Sequence, residues 1–400
     1  MDNLSQITQE FILNHRKDNV KLLALQYSKQ TCININEAIT QIAGWQIAEK
    51  KIPSWAKQEG IIYPQHLSME QCSSEVTAKY KSSLIAGESF VDLTAGFGVD
   101  CSFMASKFKK VHYVERQKEL CKIAEHNFQT LGLNHITIHN TDGIDFLKEM
   151  NKVDCIFLDP ARRDSHGSKT VAICDCEPDI RTIEDMLVDK GQTVIIKLSP
   201  MLDIYSAMND LKYLKDLHIV SVNNECKELV AILQKDINNS NINKDKINIE
   251  CEQILTNSQS QHFKFNFSEE KATEIEYSDS IENYLYEPGA SLLKAGPFKL
   301  ISKTFGIKKL HPNSHLYTSK EKIKNFPGRQ FKVTNVSTFN KKELKTFLQG
   351  LEKANITIRN FPSTVADLRK RLKLNEGGDI YIFATTLGSG EKVLIKCQKD

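Results

Sequence analysis

The sequence predicts an α/β protein in three parts. A helical region covers residues 1–85, a mostly parallel sheet with helices on both faces covers 86–235, and a small α+β unit covers 329–400, with a connecting region over 236–328. Three observations carry this reading. The hydrophobic period changes at Glu88, where helical spacing gives way to short apolar runs. Those runs then alternate with amphipathic stretches, the pattern of a parallel sheet covered by its crossovers. Finally, two strands follow one another with no helix between them, so they fold as an antiparallel hairpin.

The elements follow in order. FILNHRKDNVKLLALQYSK and INEAITQIAGWQIAEKKIPSW place apolar residues near the i, i+3, i+4, i+7 pattern, and Pro53 ends the second run. SMEQCSSEVTAKYKSSLI reads as one more helix, with Ser68 and Gln71 spaced as a capping box. Beyond Glu88 the strands are ESFVDLTA, KVHYVER, HITIHNTD, VDCIFLDP, QTVIIKLSP and the pair LHIVSVN and KELVAILQ. Helices lie between the first five, two of them ended by Gly132 and Gly191. Residues 236–287 are rich in Asn, Ser, Lys and Glu and read as an excursion or a bridge. From Phe331 come FKVTNV as a strand, a helix capped by Asn340, ITIRNFP as a strand, and VADLRKRLKL as a helix with Thr364 and Asp367 spaced as a capping box. A hairpin folded at Gly388-Ser389-Gly390 completes the unit.

With 40% hydrophobic and 26% charged residues the chain has the composition of a globular protein. No stretch reaches the roughly 18 apolar residues of a membrane span, and no signal-peptide pattern opens the sequence, so a cytoplasmic protein without a membrane partner is expected. The 10 cysteines are too dispersed for a disulfide framework. Cys174-Asp175-Cys176 lacks the second half of a zinc site, so no metal is expected. The net charge of +3 hides an asymmetry: from Lys294 onward 22 Lys and Arg face 8 Asp and Glu. A basic quarter on an acidic body suits a polyanion, and equally a solvated lysine-rich surface.

The chemistry centres on Asp92-Leu93-Thr94-Ala95-Gly96-Phe97-Gly98-Val99-Asp100, which ends one strand and opens a helix at the sheet edge where such folds bind ligands. Gly96 and Gly98 permit a tight turn and a close backbone approach to a ligand. Cys101 stands where the dinucleotide fingerprint has its third glycine, which argues against a nicotinamide cofactor. Asp92, four residues before Gly96, suits a cationic ligand such as the sulfonium and ammonium of S-adenosylmethionine, whereas a pyrophosphate prefers bare N–H groups. Glu115 closes the second strand, where an acid accepts ribose hydroxyls. Asp142 follows the third strand, within reach of an adenine amino group. Any one of these acids reads equally as a solvated carboxylate; four at successive strand ends, with Asp159 after the fourth strand, do not. The expected cofactor set is Asp92, Thr94, Ala95, Gly96, Gly98, Glu115, Asp142 and Gly143.

Asp159-Pro160-Ala161-Arg162-Arg163 ends the fourth strand and belongs beside the transferred methyl. Methyl transfer is an in-line displacement that needs a positioned nucleophile more than covalent help. Asp159 and Arg162 are the candidate catalytic pair, Arg163 and Ser199 the candidate substrate contacts. The plainer alternative pairs an arginine with Asp159 or Asp164 as a structural ion pair. Cys174 or Cys176 as a covalent nucleophile is weighed against an inert thiol, and His66, His139 and His311 read as structural.

DLTAGFGVD, the acid of YVER and LDPARR resemble class I S-adenosylmethionine-dependent methyltransferases, and the first string is especially similar to bacterial small-subunit ribosomal RNA guanine methyltransferases. NFPSTVADLRKRLKLNEGGDIYIFATTLGSGEKVLIKC resembles the THUMP-like domain that follows such a core in a bacterial family, where EQCSSEVTAKYK also recurs. The resemblance implies a Rossmann-like seven-stranded class I methyltransferase sheet followed by a C-terminal α+β THUMP-like domain. It implies S-adenosyl-L-methionine as cofactor, Asp159 at the acceptor pocket, and RNA (an rRNA or tRNA base) as the molecule modified. Amino-directed enzymes place Pro-Pro and an aromatic after the acid, whereas Ala161 and Arg162 stand here, so the target atom stays open. A methyltransferase acting on a protein or small molecule, and a non-catalytic RNA-binding protein, are the competing readings.

Overall fold

The computed structural model describes residues 5–162, 172–235, 244–256 and 259–399. The chain forms two compact units, Met1–Lys215 with Glu228–Ile242, and Asp216–Lys227 with Asn243–Asp400.

The first unit opens with six helices, most of them capped by short polar side chains that the sequence supplies. α1 (Gln6–His15) begins at Ser5, α2 (Val20–Gln26) at Asn19 and α3 (Ile35–Lys51) at Asn34; each cap accepts hydrogen bonds from the first turn's N–H groups. Pro53 both ends α3 and opens α4 (Pro53–Lys57), since its missing N–H is harmless in a first turn. The single helix expected over SMEQCSSEVTAKYKSSLI is instead two, α5 (His66–Gln71) and α6 (Glu75–Ser83). Ser74 caps α6 by accepting from Thr77 N, while Ser68 lies inside α5, so the capping box expected at Ser68 and Gln71 does not form. The true cap was the later serine of the Ser73-Ser74 pair.

The sheet then follows the expected alternation: β1 (Ser89–Asp92), α7 (Val99–Ala105), β2 (Lys110–Val114), α8 (Lys118–Thr130), β3 (Ile136–His139), α9 (Gly143–Glu149) and β4 (Val153–Leu158). A two-stranded ribbon, β5 (Ala161–Arg162) and β6 (Cys176–Glu177), precedes α10 (Ile180–Lys190), β7 (Gly191–Leu198) and α11 (Ile204–Asp210). β8 (Leu214–Val222) runs into β9 (Glu225–Leu233) through Asn223 and Asn224, both at positive φ (50° and 65°), the conformation a two-residue hairpin turn requires. In this unit the order is β9-β7-β4-β1-β2-β3; β9 is antiparallel to β7 and every other pair is parallel. β1 and β4 therefore lie side by side at the centre, which brings the ends carrying Asp92 and Asp159 together. This is a Rossmann-like methyltransferase architecture.

The region expected as a connection, 236–328, contains five strands that the sequence reading did not see, the first two of them on the side of β8. β10 (Asn248–Ile254) lies parallel to β8, and β11 (Ser260–Phe265) antiparallel to β10. Polar residues buried in β10, Glu252 and Gln253, hide its alternation. After α12 (Phe267–Ala272) come β12 (Tyr284–Pro288), α13 (Ala290–Ala295), α14 (Phe298–Phe305), β13 (Lys308–Lys309) and β14 (Tyr317–Ser319). The final stretch holds β15 (Gly328–Ser337), α15 (Lys341–Leu348), β16 (Asn355–Arg359), α16 (Val365–Leu372), β17 (Ile380–Thr386) and β18 (Lys392–Lys399). These strands form one sheet, β13-β14-β12-β15-β18-β17-β16. Alternation along β17 and β18 serves both faces: Phe383 and Ile395 join Leu285, Leu310 and Leu316 on one side, while Ile382, Ala384 and Leu394 meet Phe347, Leu368 and Leu372 of the two helices on the other.

Candidate active site

The glycine turn is built from constraints on both sides. Gly96 and Gly98 take φ of 53° and 86°, a conformation that side chains resist. A Cβ on Gly98 would lie 2.8 Å from Phe128, so the turn is pressed onto α8; a Cβ on Gly96 would meet nothing nearer than 3.9 Å. The side of Gly96 is thus open to a ligand. Tyr113 Oη donates to Gly96 O at 2.5 Å and fixes the loop from below. From the other side the N-terminal helices grip it. Phe97 and Val99 are buried in one core with Ala48, Ile52, Trp55, Tyr63 and Met69, and Trp55 meets Phe97 edge to face at 5.0 Å.

Asp92 ends β1, Glu115 and Asp159 directly follow β2 and β4, and Asp142 lies three residues past β3; each is held differently. Asp92 is 1% exposed; its Oδ1 accepts from Thr94 N at 3.1 Å, while Oδ2 is buried without a partner. Burial pushes the Asp92 carboxyl well above the usual range, the Thr94 N–H opposes this, and Asp100, Asp159 and Glu115 add to the rise. Glu115 accepts from Gly96 N at 3.0 Å through Oε2 and from Gln117 N at 2.7 Å through Oε1, so it braces the turn as well as facing it. Asp142 caps α9, accepting from Ile144 N at 2.9 Å. Gly143 beside it allows that helix to abut β1, because a Cβ there would lie 2.2 Å from Leu93 O. Thr94 Oγ1 accepts from Asp159 N at 2.6 Å and ties the two central loops together.

Asp159 has an ion-pair partner that the sequence reading did not choose. Lys197 Nζ donates to its Oδ2 at 2.5 Å, with the lysine side chain 14% exposed and the aspartate 35%. Burial lowers the Lys197 ammonium's pKa, but Asp159, Asp100 and Glu228 outweigh it and hold the pKa above the usual lysine value. Ser199 lies beyond the end of β7, where its hydroxyl accepts from Met201 N. Arg162 sits in β5 with its backbone opposite Cys176; Arg163 and Asp164 lie outside the described residues. Among the described residues no group of three His, Cys, Asp or Glu is placed to hold a metal, and no helix is long and apolar enough to cross a membrane.

A second layer was missed altogether. Lys81 of α6 is fully buried and donates to both oxygens of Glu228 at 2.6 and 2.8 Å, lies 3.2 Å from Asp100 Oδ1, and meets Ser73, which itself donates to Asp100 at 2.6 Å. Burial raises Asp100, yet Lys81 and Lys197 with the Ser73 hydroxyl hold its pKa below the usual range. The signal was present in the sequence: Asp100 closes the glycine motif, Lys81 lies in EVTAKYK, and Glu228 stands in the apolar strand KELVAIL. Asp100, Asp159 and Glu228 thus surround two lysines at one end of the sheet, and Asp92 and Glu115 add two more carboxylates within electrostatic reach of that group. Two of their buried oxygens lack a hydrogen bond, Asp100 Oδ1, which faces Lys81, and Asp92 Oδ2, which has no cation in contact; a negative surplus of this kind favours a cationic ligand.

Fold and site together define a Rossmann-like methyltransferase unit continued by a THUMP-like extension. Three family models match parts of the chain: the family described as "Conserved hypothetical protein 95" matches residues 69–216, a ferredoxin-like domain matches 284–327, and a THUMP domain-like model matches 328–399. A crystal structure from Porphyromonas gingivalis W83, provisionally described as a methyltransferase, is 34% identical, with a TM-score of 0.87 over 98% of this chain and 97% of that one. The chain belongs to the family of that protein. A Streptococcus mutans structure in complex with SAH, also provisionally a methyltransferase, is 15% identical over 40% of this chain and 97% of its own, with a TM-score of 0.31. An rRNA methylase from Streptococcus thermophilus is 11% identical over 40% of this chain and 94% of its own, with a TM-score of 0.30. No curated protein matches the sequence.

Proposed function

We propose that the chain is an S-adenosylmethionine-dependent methyltransferase that modifies an RNA base. The observation that carries the donor half is Asp92 Oδ2, a fully buried carboxylate oxygen with no partner, at the start of the turn in which the side of Gly96 is open. A buried polar atom left unmatched costs about 1–3 kcal/mol, and a bound cation removes that cost. The donor residues are Asp92, Thr94, Ala95, Gly96 and Gly98 along the turn, Glu115 toward the ribose, and Asp142 with Gly143 toward the adenine. The spare lone pairs of Glu115 and the second oxygen of Asp142 remain available for those contacts. Bound there, the cofactor supplies an electrophilic methyl.

Asp159 and Lys197 present an acceptor of hydrogen bonds beside a donor. That array suits a base carrying an exocyclic amine next to a ring acceptor, which a carboxylate and an ammonium read together. Arg162 and Arg163 follow Asp159 in the chain, where they serve as phosphate or base contacts. The basic C-terminal quarter supports RNA as the acceptor, and its THUMP-like match supports the same class.

The test is labelled S-adenosylmethionine with RNA from a deletion strain, followed by mass-spectrometric comparison of modified nucleosides. Label in RNA, and one nucleoside missing from the deletion strain, is the expected result. RNA without label sinks the acceptor half; absence of cofactor binding by calorimetry sinks the donor half. Glu115→Ala is expected to weaken cofactor binding about tenfold or more. Asp159→Ala should instead lower kcat with the cofactor Kd largely kept. Equal loss of cofactor affinity in both variants means that Asp159 is not in the acceptor pocket.

A further inference from the structure

The second unit holds a charge cluster with the opposite balance, and neither the fold nor the donor site accounts for it. Glu287 of β12 is 2% exposed and faces two arginines. Arg329 stands opposite it on β15 and reaches Oε2, with Nε at 2.6 Å. Arg359, the last residue of β16, places Nη2 2.7 Å from Oε1, a contact not aligned as a hydrogen bond. The two side chains are 31% and 36% exposed while the shared carboxylate fixes one edge of each guanidinium; Arg359 Nη1 also donates to Ile358 O at 3.2 Å, so Arg329 has the freer outer edge.

Around them polar atoms are left over. Arg359 Nε, His315 Nδ1 and the hydroxyl of Thr385 are all buried without a hydrogen-bond partner. Thr385 is fully buried and stands opposite Arg359 on the adjacent parallel strand, so both lie on one sheet face. On that face Arg329 also covers Phe383, two residues before Thr385, at 5.9 Å. His315 stacks on Phe298 with ring centroids 3.5 Å apart and lies within electrostatic reach of Arg359 and Lys309. Lys309, 1% exposed, is held by the His311 and Pro312 carbonyls.

A purely structural ion pair would balance its charges and satisfy its donors. Here two arginines share one carboxylate, and a guanidinium nitrogen and a hydroxyl beside it go unmatched. A carboxylate that fixes the inner edge of a planar fork presents the outer edge in a set orientation, the geometry a phosphate accepts bidentately. We propose that Arg329 and Arg359, oriented by Glu287 and backed by Thr385, form a binding site for a phosphate of the RNA backbone. This inference rests on RNA being the acceptor, and it names residues at which the second unit holds it.

The experiment uses the full chain and a short RNA hairpin, with affinity measured across a KCl series. Arg329→Gln and Arg359→Gln should each weaken binding about tenfold at low salt, the loss expected for a charge-assisted hydrogen bond. Each should also flatten the slope of log K against log salt by about 0.7–0.9, the value of one phosphate contact. Arg359→Lys keeps the charge without the fork and should fall between wild type and Arg359→Gln; it also serves if the glutamine variant does not fold. Inorganic phosphate should compete with RNA for wild type and not for the glutamine variants. Wild-type affinity and slope in folded variants overturn the site. Phosphate that stabilises wild type while the RNA slope stays unchanged in the variants overturns RNA as the source of the anion. A wild-type chain that binds S-adenosylhomocysteine but no RNA overturns the acceptor reading, and this inference with it.

Discussion

Two clusters of buried charge organise this molecule, and they are built in opposite senses. In the first unit five carboxylates cluster with Lys81 and Lys197, whose side chains are 0% and 14% exposed and which contact three of them, Asp100, Glu228 and Asp159. In the second unit one carboxylate, Glu287, holds Arg329 and Arg359, each about a third exposed. In the first the cations are internal and serve to make the acids tolerable. In the second the acid is internal and the cations face outward. Lysine suits the former as a compact charge with three donors that can be shared among Glu228, Asp100 and Ser73; arginine suits the latter because its fork has an inner and an outer edge. The sign left over in each cluster matches the proposed ligand, a cation in one and a phosphate in the other.

The contrast is broken most severely at Lys81. Lys81→Met should cost about 3–5 kcal/mol in urea unfolding, because Asp100 and Glu228 would lose the one cation in direct contact with them and keep only the more distant Lys197. The same logic applied to Glu287→Gln gives a smaller loss of about 1–2 kcal/mol, since Arg329 and Arg359 can turn toward water once released. Equal losses at the two sites would mean that solvent access is not what separates the clusters.

How much of this was legible depended on whether a residue acts through its own loop or through a distant segment. The acids at Asp92, Glu115 and Asp159 could be singled out because each sits at a strand's end, and Asp142 because it sits between a strand and a helix, a local pattern in every case. The turn at Asn223-Asn224 and the caps at Asn340 and Thr364 were local too. Lys81 and Glu228 could not be read that way: 147 positions separate them, and only packing makes them partners. Lys197 for Asp159 failed for the same reason, since the sequence offered the adjacent arginines and the fold chose a neighbour from the next strand. Glu287 with Arg359 is a third such pair. β10 escaped because its buried Glu252 and Gln253 break the alternation by which strands are recognised.

The finest test of the comparison is the pH dependence carried by Asp92. Its carboxyl is held well above the ordinary aspartate value of 3.8, chiefly by burial. In the window between 3.8 and that raised value the folded protein keeps a proton that the unfolded chain has released, so stability falls as pH rises through it. Asp92→Asn removes this decline. The ligand-free variant should therefore gain stability over wild type as pH rises above about 4, by about 1 kcal/mol, as an amide without charge is cheaper to bury. Cofactor binding should show the complementary effect, because a cation beside Asp92 favours its ionised form. Calorimetry of wild type with S-adenosylmethionine in buffers of different ionisation enthalpy, inside the pH window where the folded carboxyl keeps its proton, should then report proton release, and the Asp92→Asn variant should report less. Equal proton release in the two proteins would show that the orphaned oxygen of Asp92 does not answer the charge of the ligand.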